Sequence, residues 1–362
     1  MQPSTLNTSA TASHREVLRV DKLCTRFRTD SGPVRVVDDV SFTLREGEIM
    51  GIVGESGSGK SVTALSIMRL LTGTTGEIES GGIYFQGQDL TQVNEESMRN
   101  IRGNDIAMIF QEPMTCLNPV MRIGDQIIET IAMHQPISYA KARSKALDVL
   151  TSVRMPRAER LMREYPFQLS GGQRQRVMVA MGLICNPSVL IADEPTTALD
   201  VTIQAQILHL MDDIRTETGT AILLITHDLG VVAELTDTVA VMYCGRIMEH
   251  CTVGELFDHP AHPYTQGLMA SIPRPGLKAS ELTSIQGNVP NPRYLPKGCR
   301  FAPRCSRAMP LCARLEPDLT EISPGHLCRC HLHNDRIIID DERDASRFAA
   351  TNQAERSGGT AR

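Results

Sequence analysis

Eight consecutive residues concentrate the chemistry of this chain: Gly54-Glu55-Ser56-Gly57-Ser58-Gly59-Lys60-Ser61. They fit G-x-x-x-x-G-K-[ST], a loop that holds phosphate groups. Glycines allow a backbone curl in which successive N–H groups point inward at anionic oxygens. A helix opening straight after the loop adds the partial positive charge of its N-terminus. In such a loop Lys60 reaches the β- and γ-phosphates, and the Ser61 hydroxyl ligates Mg2+. Further on, Asp193-Glu194 closes the apolar run Val189-Leu190-Ile191-Ala192. One carboxylate at the end of a buried strand can hold Mg2+, and the next can polarise an attacking water. His227 follows a second apolar run, Ala221 to Ile225. That places it where open α/β sheets gather their ligands, at a strand's C-terminal end. Leu169-Ser170-Gly171-Gly172-Gln173 opens a helix, with Ser170 as N-cap and two glycines that leave the first N–H groups bare. This is a second anion site.

The elements that must position these residues are legible around them. Ile49 to Val53 reads as the buried strand before the loop, and Val62, Leu65 and Met68-Leu71 as one side of the helix after it. Leu18 to Val20, Val34 to Val37 and Val40 to Leu44 read as strands, with Phe27 between the first two. Phe27 can stack on an adenine or fill a core. Ile83 to Gln86 and Ile106 to Phe110 are further strands, the latter ending at Gln111. From Ile123 to about Met162 the spacing turns helical, broken at Pro136 and Pro156. Thr196 to Asp200 leads into a helix with Ile203, Ile207, Leu210 and Ile214 facing inward. Val239 to Met248 reads as a hairpin. From Glu255 prolines punctuate a loop-rich appendix, and residues 334–362 are polar and charged.

The order and spacing of these pieces resemble the ATPase subunit of an ABC transporter over about 20–260. The motifs are the phosphate loop, the Gln loop at Gln111, the signature Leu169 to Gln173, Asp193-Glu194, the Asp loop ending at Asp200 and the switch histidine His227. Thr197 stands where serine is usual, and keeps the hydroxyl. The resemblance implies an α/β P-loop NTPase cassette: a RecA-like core, an antiparallel β subdomain and a helical insert. A small cysteine-bearing C-terminal module follows. The expected division is a disordered tail (1–16), the core (17–111 and 165–254), the helical subdomain (112–164), the module (255–333) and a second disordered tail (334–362). It implies ATP and Mg2+ as ligands, with Phe27 stacking on adenine and residues 54–61 around the phosphates. Ser61, Gln111 and Asp193 attend the metal, Glu194 is the general base and His227 contacts the γ-phosphate. Ser170, Gly171, Gly172 and Gln173 complete the ATP site of a partner subunit.

The C-terminal stretches Gly254-Glu255-Leu256-Phe257, His262-Pro263-Tyr264-Thr265, Gly298 to Phe301 and Pro303-Arg304-Cys305 are similar to those of the dipeptide/oligopeptide (and nickel) importer ATPases. Partners of that family are a second, usually different, ATPase, two permease subunits and an extracytoplasmic binding protein. The location implied is the cytoplasmic face of the cell (inner) membrane. A soluble ABC ATPase, or import of nickel or another small solute, is the competing reading.

Length and composition agree with this. The chain has 362 residues, enough for two or three units at roughly 150 residues per domain. Its 41% hydrophobic content supports a core, and the net charge of −5 gives no basic field for nucleic acid. No apolar run approaches the ~18 residues of a membrane span, and residues 1–20 lack the apolar segment of a signal peptide. Cys24, Cys116, Cys185, Cys244 and Cys251 are scattered among apolar residues, which for most of them reads as burial. Cys299, Cys305, Cys312, Cys328 and Cys330 crowd together, separated by five, six, and then fifteen or seventeen residues. Four thiolates suit a [4Fe–4S] cluster or zinc, and the lack of a Cys-x-x-Cys pair fits a zinc ribbon poorly. The importer resemblance implies the iron–sulfur cluster. Its last ligand would be Cys330, beside His331, with Cys328 as the alternate.

Overall fold

A computed structural model of the chain describes residues 15–71, 73–111, 116–197, 200–272 and 284–333. Two sheets carry the nucleotide fold. The first is antiparallel and four-stranded, in the order β2-β1-β4-β5. Its strands are β1 (Glu16–Thr29), β2 (Gly32–Arg45), β4 (Gly76–Phe85) and β5 (Gln88–Asp89). The second has eight strands in the order β11-β12-β10-β9-β3-β8-β7-β6. At its centre β3 (Ile49–Val53), β6 (Ile106–Ile109), β7 (Val189–Asp193), β8 (Ala221–Thr226) and β9 (Thr238–Tyr243) run parallel. β3, β7 and β8 are buried at every residue, as strands covered on both faces must be.

The helices are α1 (Lys60–Ile67), α2 (Glu95–Ile101), α3 (Ile123–His134), α4 (Tyr139–Ser152), α5 (Ala158–Leu161), α6 (Gly171–Leu183), α7 (Val201–Thr218), α8 (Leu229–Leu235), α9 (Val253–Asp258) and α10 (Pro263–Ala270). α3 to α5 make up the helical insert. Ile123, Ile127, Ile128 and Ile131 line the inner side of α3, and Ala142, Ala146 and Leu150 that of α4. These stripes join α6 and α7 in one core beneath one face of the large sheet. A second core joins the small sheet, α1 and the other face.

Two expectations change. The separate strands read over 18–20, 34–37 and 40–44 are parts of one long bulged hairpin, β1 with β2, and Glu16 already belongs to it. Arg26, Arg28 and Arg35 break the apolar pattern but are cross-strand partners of Glu77 and Glu79. The module is also less loop-like than its prolines suggest. β10 (Arg246–Thr252), β12 (His326–Cys328) and β11 (Thr320–Ser323) extend the large sheet antiparallel past β9. Cys116, among the scattered thiols, is exposed. Arg15 is also held, its carbonyl accepting the Glu46 N–H at 2.9 Å; the rest of the tails expected over 1–16 and 334–362 lies outside the described residues.

Candidate active site

The phosphate loop follows β3 in a conformation that its glycines require. Gly54 has φ 156°, and a Cβ there would stand 2.1 Å from the Met242 carbonyl oxygen. Gly59 has φ 104°, and a Cβ there would meet the Val36 carbonyl at 2.9 Å. Gly59 is the N-cap of α1 and offers no side chain to it. The first N–H groups of α1 therefore remain for an anion. Ser58 Oγ beside them is buried without a hydrogen-bond partner among the described residues. Lys60 is 5% exposed, and its Nζ donates to Gly54 O at 2.7 Å and Glu55 O at 3.1 Å. Burial lowers its pKa, against the pull of Glu194, Asp193 and Glu55. Two neutral carbonyls are poor partners for a buried ammonium, and phosphate oxygens are better ones.

Across the loop, Ser61 Oγ donates to Asp193 Oδ1 at 3.0 Å. Asp193 ends β7, and burial pushes its carboxyl up while the Ser61 bond pulls it down. A hydroxyl and a carboxylate are hard oxygen donors of the kind Mg2+ takes. Glu194 follows at φ 47°, a left-handed conformation uncommon outside glycine and frequent at functional sites. Its Oε2 accepts from Gln111 Nε2 and Thr197 Oγ1, both at 2.9 Å, and its Oε1 faces His227 Nδ1 at 3.2 Å. Burial alone would raise its pKa, but the bonds from Thr197 and His227 outweigh it and leave the carboxyl below its usual range. It is an ionised base at neutral pH, able to take a proton from water.

The start of the loop and the Glu194 group share a cavity of about 410 Å3 walled by Gly54, Glu55, Ser56, Gln111, Glu194 and His227; Lys60, Ser61 and Asp193 are not on its wall. A larger one, about 650 Å3, lies in the C-terminal module and carries none of this chemistry. Ser170 to Gln173 are not on the wall of the first cavity. They open α6 through a capping box, Ser170 N–H to Gln173 Oε1 at 2.9 Å and Gln173 N–H to Ser170 Oγ at 3.3 Å. Phe27 also stands off that wall, half-buried, with its ring against Gly76. Three contacts escape a reading by motif. Thr197 on Glu194 is one. The others are Tyr264, whose hydroxyl accepts the Glu55 N–H at 3.0 Å, and Arg304, paired with the Glu55 carboxylate at 2.6 Å. The latter two lie 209 and 249 residues from Glu55, with no local signal to connect them.

In the module, Cys299, Cys305, Cys312 and Cys330 line one cavity of about 10 Å3, and Cys328 is not on it. Burial pushes Cys299 up to about 12 and Cys330 up to about 11, and raises Cys305. Cys328 is fully buried and pairs with Glu249 across β10 and β12. Among the described residues a tighter His/Cys/acid group is Glu249, Cys251 and His326. Glu249 there is already satisfied: it accepts from Ala261 N–H at 2.7 Å and His262 N–H at 2.9 Å, and meets His326 Nε2 at 2.8 Å. That saturation makes it a structural joint holding the start of α10 to the sheet.

The sequence matches a family model described as ABC transporter over residues 37–197, and one described as oligopeptide/dipeptide transporter, C-terminal region, over 248–312. It is 51% identical to the oligopeptide transport ATP-binding protein AppD of Bacillus subtilis over 319 residues, 88% of this chain and 97% of that one. To OppD of Haemophilus influenzae, of the same description, it is 48% identical, covering 89% and 99%. Among solved structures, the dimeric bacterial ABC transporter cassette MJ0796 superposes with a TM-score of 0.59 at 26% identity, over 65% of this chain and 98% of that one. A post-hydrolysis form of MJ0796, bound to ADP and Pi, scores 0.59 at 25% identity. With nearly the whole length of such relatives matched, the chain belongs to the ABC transporter ATP-binding proteins, in the oligopeptide/dipeptide branch.

Proposed function

We propose that this chain is the ATP-hydrolysing subunit of a membrane importer of di- or oligopeptides. The observation that carries this is the convergence of Gly54 to Ser56 of the phosphate loop, Gln111, Glu194 and His227 on one cavity, with the end of the same loop bonded through Ser61 to Asp193, the neighbour of Glu194. In this reading the loop and Lys60 bind the phosphates, and Ser61 and Asp193 hold Mg2+ with Gln111 nearby. The metal, when bound, neutralises phosphate charge. Glu194 takes the proton of the attacking water, His227 orients it and contacts the γ-phosphate, and Phe27 stacks on the adenine. Ser170 to Gln173, off this wall and at the start of α6, serve the site of a second ATP-binding subunit, a distinct chain. Two permeases and an extracytoplasmic solute-binding protein complete the assembly, with this subunit peripheral at the cytoplasmic face. No helix among the described residues is long and apolar enough to cross a membrane.

Cys299, Cys305, Cys312 and Cys330 are the residues proposed to hold a [4Fe–4S] cluster. Four thiols lining one small cavity are a donor set that an iron–sulfur centre takes as thiolates. Bound, the cluster would cross-link four separate turns of the module. Iron and sulfide content separates the ligand sets: Cys330→Ser should lose both and Cys328→Ser should keep them. For the main reading, vesicles holding the permeases and both ATP-binding subunits should take up labelled peptide in the presence of ATP. Peptide uptake unchanged by omitting this subunit would overturn it.

A further inference from the structure

A carboxylate at the second position of a phosphate loop is a liability, because it sets negative charge where anions must bind. Glu55 is such a residue, and it stands on the cavity wall. Its compensation comes from the C-terminal module. Arg304, with a side chain 5% exposed, donates from Nη1 to Glu55 Oε2 at 2.6 Å and from Nη2 to Oε1 at 3.0 Å. This is the planar two-bond fork that fixes both position and charge. Tyr264, fully buried, accepts the Glu55 N–H at 3.0 Å. Leu268, one turn further along α10, reaches the same cavity.

The clamp is itself braced. Arg304 donates to Gln286 O at 3.2 Å and lies 5.8 Å from the Tyr243 ring centroid. Tyr243 packs on Tyr264 and Phe301. Arg304 directly precedes Cys305, and Phe301 and Cys305 both line the cysteine cavity. Glu55 O meanwhile accepts from Lys60 Nζ. A continuous path of contacts thus runs from the thiol cavity to the lysine that meets the phosphates.

We propose that Arg304 is a positioning residue for nucleotide binding: it neutralises Glu55 and, with Tyr264, holds the phosphate loop in its receptive curl. Nucleotide affinity then depends on the C-terminal module. The inference rests on the nucleotide site described above and adds to it the element that tunes it.

The test is titration of the full-length protein with a fluorescent ATP analogue and Mg2+, alongside steady-state kinetics. Arg304→Ala should weaken binding about tenfold and raise KM while kcat changes less. The bare Glu55 charge then repels the phosphates, so the defect should shrink in high salt. Arg304→Ala combined with Glu55→Gln should recover most of the affinity, which loss of packing alone would not allow. Arg304→Lys, with charge but no fork, should fall between. Wild-type affinity in Arg304→Ala, or a double variant no better than the single, overturns the proposal. If Arg304→Ala does not fold, Arg304→Lys decides: affinity below wild type supports the proposal and wild-type affinity overturns it. A wild-type protein that binds no nucleotide would instead remove the site reading beneath it.

Discussion

Asp38 and Glu194 are both carboxylates ringed by donors, and they are built to opposite ends. Asp38 is 6% exposed, at the seam between the small sheet and the module. Its partners are arginines: Arg35 at 2.9 Å, Arg246 at 3.0 Å, and Arg300, which continues to Glu316 at 3.1 Å. Burial alone would raise its pKa, but Arg300 and Arg246 outweigh it and hold the carboxyl down at about 2. Glu194, on the wall of a cavity, is met by an amide, a hydroxyl and an imidazole, none of them a permanent cation. Permanent charges without alternatives make a joint. Donors that are not fixed cations, and that water or a phosphate can replace, suit the base that Glu194 is proposed to be. Arg300 follows Cys299, and Arg329, which precedes Cys330, reaches Asp39 at 3.3 Å and Ile247 O at 3.0 Å. The residues beside the module's cysteines are thus its fastenings to the nucleotide fold.

The largest effect should come from breaking the base. Glu194→Gln keeps the shape and removes the charge, and should lower ATP turnover about a thousandfold in the assembled transporter. Its thermal midpoint should stay near that of wild type. Turnover that survived would mean that Glu194 is a joint like Asp38. The converse change is Asp38→Ala, which leaves Arg300 and Arg246 sharing only Glu316 as a carboxylate and should cost about 3 kcal/mol of stability, read from urea unfolding. A loss under about 1 kcal/mol would place the seam among exposed ion pairs of little worth.

Acid sharpens the same contrast. The ordinary carboxyl value of Asp38 is 3.8, and the fold lowers it to about 2. The unfolded chain therefore takes up the proton first as pH falls. The stabilisation is complete above about pH 4 and is lost on the way down through pH 2, at about 2 kcal/mol. The stability gap between wild type and Asp38→Asn should be constant from pH 7 to pH 5 and close below pH 3. A gap unchanged by acid would mean that Asp38 does not titrate as the seam requires.

What a sequence reader can see of this molecule follows from how local each device is. The phosphate loop, Asp193-Glu194 and the capped start of α6 are contiguous, because a strand end or a helix end builds each of them. The long hairpin of β1 and β2 was hidden because Arg26 and Arg35 look like loop residues until Glu77 and Glu79 arrive from β4. β11 and β12 were hidden because they have four and three residues, and the pair joins the sheet through Glu249 and His250 opposite β12 rather than through an apolar stripe. Cys328 and Cys330 are told apart by which way the chain turns after β12, and composition carries no trace of that. Arg304 and Glu55 meet only because the module folds back over the loop.

The smallest effect tests how finely the base is held. Thr197 Oγ1 donates to Glu194 Oε2 at 2.9 Å and helps to keep that carboxyl ionised. Thr197→Val preserves the volume and removes the donor. The Glu194 pKa should then rise, because burial continues to push it up with less to oppose it. The working form is the ionised one, so the acidic limb of the rate profile should move to higher pH. At pH 8, well above the limb, turnover should stay within a few-fold of wild type, the scale of one hydrogen bond. Stability should barely change, since Thr197 is exposed and its bond lies where water can reach. An unmoved limb would show that His227 and Gln111 suffice to hold the base, and the shell around Glu194 would then be more redundant than the arginine shell around Asp38.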